Sequence, residues 1–295
     1  MEIDCVFSGG GIKAFAYIGT LQSLQAKEIR IKRVAGTSAG AILAALVTAG
    51  YDGDDIQSIL TELDLKQLLD PPLFSKYVPF GKWLSLSTKM GLYKGNKFER
   101  WIEELLIAKG IDTFADVEPG HLKIVISDIS LGKLVVLPDD LERVYGMNRN
   151  HFSVAKAIRM SASFPYFFMP QKLVNKQYGY SYIVDGGILS NFPLWIFNQN
   201  ARPKRPVLGA TLSDSIENTQ PMRIKYTHDL LKGMFLTMMR AHDTRYVSKK
   251  KQDDVIFIPV KDIPTMDFSI TEEEKNQLIE LGRDVTTAFL HSWPR

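Results

Sequence analysis

A single cysteine, Cys5, stands in 295 residues, which excludes an intramolecular disulfide and any Cys-rich zinc or iron-sulfur centre and fits a reducing compartment. Charge of one sign is also scarce. The 36 Lys+Arg against 33 Asp+Glu leave a net +3, far from the strongly basic balance of a nucleic-acid-binding domain, so no nucleic-acid partner is expected. Long apolar runs are missing too. The most apolar stretch, Ala39 to Gly50, is about a dozen residues, short of the roughly 18 to 20 that a membrane-crossing helix needs, and reads as a buried core helix. Met1-Glu-Ile-Asp-Cys5 carries acids instead of a basic n-region and runs at once into glycines, so no Sec signal is visible. The chain is expected in the cytoplasm or peripherally at a membrane, with signal-less export left open. What is present, 45% hydrophobic and 23% charged residues with a mean hydropathy of -0.07, describes a globular chain able to fold on burial alone.

The opening segment repeats one pattern. Ile3 to Phe7 reads as a short apolar strand, Ser8 to Gly11 as a glycine-rich turn and Ala14 to Gln25 as a helix; Arg30 to Val34, Gly36 to Gly40 and Ala41 to Ala49 repeat strand, turn and helix, closed by Gly50. This order predicts an α/β fold with a mainly parallel sheet and helices on its faces. Residues 68–92 depart from it, with Pro71, Pro72 and Pro79 among Leu73, Phe74, Tyr77, Val78, Phe80 and Trp83. That stretch is either a lid over a site or an irregular loop packed on the core. Further on, Lys97 to Ala108 and Val154 to Met160 read as helices, Leu122 to Ile129 and Leu134 to Leu137 as a hairpin-like pair, and Tyr182 to Val184 and Pro206 to Leu212 as strands. A last helix follows Ser269 or Thr271, either of which could cap it with a glutamate three residues on. Without repeats or a low-complexity linker, one domain over residues 1–295 is the simpler reading. Residues 221–251 hold eight Lys/Arg against two Asp, with Leu230, Leu231, Met234, Phe235 and Met238 at helical spacing. Such a basic amphipathic segment suits an anionic membrane surface, although a core-packing helix with a solvated flank is the favoured reading.

Three short motifs could carry chemistry. Gly36-Thr-Ser-Ala-Gly40 fits the G-x-S-x-G nucleophile elbow, where a serine on a sharp strand-to-helix turn presents its hydroxyl. The flanking strand and helix weigh more than the string itself, whose bland alternative is a glycine turn with a capping serine. Ser8-Gly-Gly-Gly-Ile-Lys13 lies between the first strand and first helix, where free N–H groups attract an anion. As a dinucleotide loop it lacks the ribose-binding acid, because Val34-Ala-Gly36 occupies that place; as an oxyanion hole it would serve an intermediate formed at Ser38. A base for Ser38 is sought first among His121, His151, His228, His242 and His291, none of which sits in a convincing motif. A shielded carboxylate can serve instead. Asp185-Gly-Gly187 after a strand offers one, although on its own Asp-Gly reads as a hairpin turn.

With Gly9-Gly-Gly-Ile-Lys13, Gly36-Thr-Ser-Ala-Gly40 and Asp185-Gly-Gly187 in this order, the chain resembles the patatin-like phospholipase family. Ser127-Asp128-Ile-Ser-Leu-Gly132, Ala157-Ile-Arg-Met-Ser-Ala-Ser-Phe-Pro165 and Asn191-Phe-Pro193 extend the likeness, which covers about residues 3–215. The resemblance implies a three-layer α/β/α fold and a calcium-independent lipid acyl hydrolase needing no metal or cofactor, acting on phospholipid or related glycerolipid esters. It implies Ser38 as nucleophile, Asp185 as base, and the N–H groups of Gly9, Gly10, Gly11 and Ile12 as the oxyanion hole. Ala14 departs from the family pattern, standing where a further glycine is usual. Lys13 is a candidate substrate contact or a solvated lysine, Asp128 a scaffold residue and Cys5 a core residue. A general carboxylesterase or lysophospholipase, or a nucleotide-binding module using the glycine loop, are the alternatives.

Overall fold

The computed structural model describes residues 1–72, 85–86, 88–176, 179–197, 204–213, 223–226, 229–230, 233–234, 236–238, 253–260, 263 and 268–294. β1 (Glu2–Phe7) leads through a 3-10 turn (Gly11–Phe15) and α1 (Ala16–Ala26) to β2 (Arg30–Thr37), which runs into α2 (Ala39–Thr48) and α3 (Gly53–Glu62). Next come β3 (Gly91–Tyr93), α4 (Asn96–Ala108), β4 (Leu122–Asp128) and β5 (Lys133–Leu137). α5 (Val154–Ser161), β6 (Tyr166–Phe168), β7 (Gln171–Asn175) and β8 (Gly179–Asp185) follow, then β9 (Val207–Thr211), β10 (Val255–Phe257) and α6 (Glu272–Leu290).

Eight strands form one sheet in the order β10-β9-β1-β2-β4-β8-β7, with β5 also paired to β4. From β10 to β4 the neighbours are parallel, whereas β4–β5, β4–β8 and β8–β7 are antiparallel. The sheet is central and flanked by helices, as the βαβα pattern predicts. β1 is buried from Ile3 onward because both of its faces are covered. Cys5 and Phe7 belong to one buried cluster with Tyr17 of α1, Leu46 of α2 and Ile279 of α6, and the Phe7 and Tyr17 rings meet at 5.1 Å. Val6, on the opposite face by alternation, packs with Ala35, Phe192, Leu194, Phe197 and Val207. α1 and α6 lie so close that a Cβ on Gly19 would overlap the Ile279 carbonyl. Of the two caps considered for α6, Thr271 is the one used, in a reciprocal box with Glu274.

Strand pairing along β4 places the site. β2 pairs with β4 as far as Thr37 opposite Val125, and the next residue of β4, Ile126, faces Asp185 of β8. β5 occupies the other edge of β4 from Ile124 to Asp128. β2 and β8 therefore run end to end along a single edge, one parallel and one antiparallel to β4, and their final residues converge. Most of the expected lid, including Phe74, Tyr77, Phe80 and Trp83, lies outside the described residues; its described flanks are a 3-10 turn at Leu65–Leu68 and β3.

Candidate active site

Ser38 sits where β2 turns into α2, with φ 55 and ψ -124, a backbone conformation that a non-glycine residue adopts only under external constraint. The constraint is visible on both sides. A Cβ on Gly36 would overlap the Gly40 carbonyl, and one on Gly40 would overlap the carbonyls of Phe7 and Ser8, so strand, turn and helix pack this tightly only with glycine at both places. The main chain of Ser38 opens α2 through its carbonyl, which accepts from Ala41 and Ile42 N–H. Its side chain makes no cap, which removes the capping-serine alternative. Instead Ser38 Oγ donates to Asp185 Oδ2 at 2.6 Å.

Asp185 ends β8, and Gly186–Ile188 continue as a 3-10 turn. The hairpin expected from Asp-Gly alone does not form there, because the chain climbs past Ser38 instead of reversing. Asp185 Oδ1 accepts Gly187 N–H at 2.8 Å, and the residue is 2% exposed. Burial pushes its carboxyl up to about 7, against the Ser38 hydroxyl and the Gly187 N–H, which pull it down. A carboxylate so placed is ionised near neutrality yet basic enough to take a hydroxyl proton.

The glycine loop lies directly against Ser38: a Cβ on Gly9 would stand 3.2 Å from Ser38 Cβ. Gly9, grouped on sequence grounds with the oxyanion donors, is not available for that use, because its N–H donates to the Asn191 carbonyl at 3.0 Å. Gly10 caps the 3-10 turn that begins at Gly11, and the first N–H bonded back across the turn is that of Lys13, to the Gly10 carbonyl at 3.3 Å. Among the described residues no carbonyl accepts from the amides of Gly10, Gly11 and Ile12, the donors that a helical N-terminus leaves over. Tyr17 OH reaches the Ser8 carbonyl at 3.1 Å and the Ser8 hydroxyl at 2.8 Å, bracing the loop from inside the core.

The arrangement of a strained serine, a buried carboxylate and a helix N-terminus can be compared with known proteins. The profile of the patatin-like phospholipase family matches residues 5–198. The chain belongs to the patatin-like phospholipase family. It is 44% identical over 293 residues to the uncharacterized protein YqhO of Bacillus subtilis, covering 99% of both chains. It is 26% identical over 292 residues to the cUMP-AMP-activated phospholipase of Escherichia coli, covering 92% of this chain and 82% of that one. Among solved structures it matches VipD of Legionella pneumophila with a TM-score of 0.60 and 20% identity, over 98% of this chain and 67% of that one.

For this patatin-like chain, the structure also places the other candidates. Lys13 Nζ donates to the Val260 carbonyl at 3.3 Å, across the fold from its own turn. Asp128 accepts from Ser130 and Leu131 N–H, both at 2.9 Å, and from Tyr145 OH at 2.8 Å, in keeping with a scaffold role. Cys5 is fully buried and burial pushes its thiol up, the state of an inert core residue. His121 pairs with Glu118 at 3.1 Å, and His151 and His291 are exposed; His228 and His242 lie outside the described residues. Among the described residues no helix is long and apolar enough to cross a membrane.

Ser161, within Ala157 to Pro165, carries no role that its sequence pattern marks. Ser38 N–H donates to Ser161 Oγ at 2.9 Å. Those two residues are 123 apart in the chain, and the packing of α5 against β4 and α2 brings the contact about.

Proposed function

We propose that this protein is a serine lipid acyl hydrolase that cleaves fatty-acyl esters of phospholipids or related glycerolipids through Ser38 and Asp185. The observation that carries the reading is the Ser38 hydroxyl donated at 2.6 Å to a buried carboxylate, beside three loop amides that meet no carbonyl among the described residues. Family membership and the phospholipase activity named for the Escherichia coli relative support the substrate class.

In this mechanism Asp185 takes the Ser38 proton as Oγ attacks the ester carbonyl. The oxyanion forms against Gly10, Gly11 and Ile12 N–H, at the positive end of a helical turn. Collapse expels the alcohol, which leaves with the proton from Asp185, and an acyl-Ser38 remains. Water then attacks the acyl carbon and gives its proton to Asp185; the second collapse returns that proton to Ser38 and frees the fatty acid. Histidine has no part in this cycle.

Hydrolysis of a dispersed phospholipid and of a soluble nitrophenyl ester in chelator tests the substrate assignment. The expected result is chelator-resistant release of fatty acid, with a rate that rises when the phospholipid aggregates. Turnover of the soluble ester alone would instead make the protein a general carboxylesterase.

The lipid surface itself is the proposed peripheral partner. Leu230, Met234 and Met238, four residues apart in helical positions, are 48%, 56% and 46% exposed, so these three do not pack into the core; Leu231 and Phe235 lie outside the described residues. An exposed apolar stripe within a basic segment suits an anionic bilayer. Sedimentation with vesicles should show binding to anionic lipid that weakens about tenfold or more on raising salt to roughly 0.5 M, where charge attraction is screened. Binding indifferent to lipid charge and to salt would remove this part of the proposal.

A further inference from the structure

We infer that Ser161 is a positioning residue which, with Ser163, makes the turn that ends α5, Met160 to Ser163, the element that fixes the Ser38 backbone relative to Asp185. The inference rests on the reading of Ser38 and Asp185 as nucleophile and base.

The need for such an element follows from the sheet. Where β2 and β8 meet end to end, the ladder along β4 is interrupted, and the amide of Ser38 points past it. A serine hydroxyl closes the gap: Ser161 Oγ accepts from Ser38 N–H at 2.9 Å and donates to the Val125 carbonyl at 2.7 Å. Val125 is the residue opposite Thr37, the last pair of the β2–β4 ladder. The hydroxyl therefore stands in as one more rung, tying the strained elbow back to β4.

Two residues later the same turn holds the base. The Ser163 carbonyl accepts Asp185 N–H at 2.9 Å. Both amides, that of Ser38 and that of Asp185, thus hang from one turn, and Ser161 and Ser163 are completely buried. A serine at a helix end ordinarily bonds the carbonyl four residues back, and Ser163 does so, to Arg159 at 2.8 Å. Ser161 does not; it reaches across to β4. The turn is in turn anchored by Arg159, a fully buried arginine whose Nη1 donates to Ser163 Oγ at 2.6 Å. Its Nε and Nη2 donate to the carbonyls of Gly95, Lys94 and Met169 at 3.2, 2.5 and 3.1 Å.

A misplacement of the nucleophile by a fraction of an ångström affects turnover far more than substrate binding. The test compares the intact protein with Ser161→Ala, which deletes the rung, and Ser161→Cys, which keeps the volume with a much weaker hydrogen-bonding group. Competent sites are counted by reaction to completion with an alkyl fluorophosphonate, so that kcat refers to folded protein. Both variants should lose roughly tenfold to a hundredfold in kcat per site with KM within about twofold. The acidic limb of their pH-rate profiles should also move to higher pH, because the Ser38 hydroxyl that holds the Asp185 carboxyl down is no longer held in place.

Wild-type kcat per site with an unmoved acidic limb in either variant overturns the inference. If Ser161→Ala yields no folded protein, Ser161→Cys decides; if neither folds, the hydroxyl belongs to the fold and the positioning role is likewise rejected. Failure of the underlying reading looks different, since there the intact protein itself is inactive or Ser38→Ala retains its activity.

Discussion

Ser38→Ala is expected to lower kcat for ester hydrolysis by roughly ten-thousandfold or more while leaving the protein folded. No other group among the described residues combines a hydroxyl, a carboxylate at 2.6 Å and an adjacent set of orphan amides, so no second nucleophile stands ready. What survives should be the modest acceleration that binding and oxyanion stabilisation alone provide. Stability should change little, because the removed hydroxyl leaves Asp185 with the Gly187 N–H and leaves the main-chain bonds of residue 38 to Ser161, Ala41 and Ile42 intact. Phospholipid and nitrophenyl ester turnover in chelator, with thermal unfolding alongside, provides the check. Asp185→Asn should lose activity on a comparable scale, and the double variant should be no worse than either single one, since nucleophile and base act as one unit. A Ser38→Ala protein keeping more than about a tenth of the intact activity would remove Ser38 as nucleophile.

The parts of this molecule that were legible in advance are those set by local chemistry. β1, β2 and the helices after them announce themselves through apolar runs bounded by glycine, and the hairpin of β4 and β5 through two strand patterns either side of Leu131-Gly132. Ser38 was visible because the elbow needs small residues at fixed offsets, a steric demand written within five residues. α3 was overlooked although Asp52 and Asp55 form a capping box at its start. β3, β6 and β10 are three residues each, too short to show a period. The direction of β8 is not legible: Tyr182 to Val184 reads as a strand, but only long-range pairing makes it antiparallel to β4 and brings Asp185 to Ser38. The same limit applies to Gly9, whose sequence neighbours suggest a free donor while Asn191, far along the chain, takes its N–H.

Burial of Asp185 has a second expected consequence, opposite in sign to its value for catalysis. The folded protein holds this carboxyl up to about 7, whereas in the unfolded chain it titrates near 3.9. Between those values the folded state binds the extra proton, so stability contributed at this site is fully present below pH 4, falls as pH rises, and is lost above about 7. Each pH unit in that window is worth about 1.4 kcal/mol, so the whole span is of the order of 4 kcal/mol. Asp185→Asn carries no such charge and should lack this slope. Urea unfolding of both proteins from pH 4 to 9 is therefore expected to show the variant gaining on the parent with rising pH and levelling off above about 7. Activity of the parent should rise through the same window, because the ionised carboxylate that destabilises the fold is the form able to take the Ser38 proton. Parallel stability curves across the whole range would mean that Asp185 ionises in the folded protein as easily as in the unfolded chain. A base of that strength would be poorly matched to a serine hydroxyl, and the proton transfer assigned to it would need another acceptor.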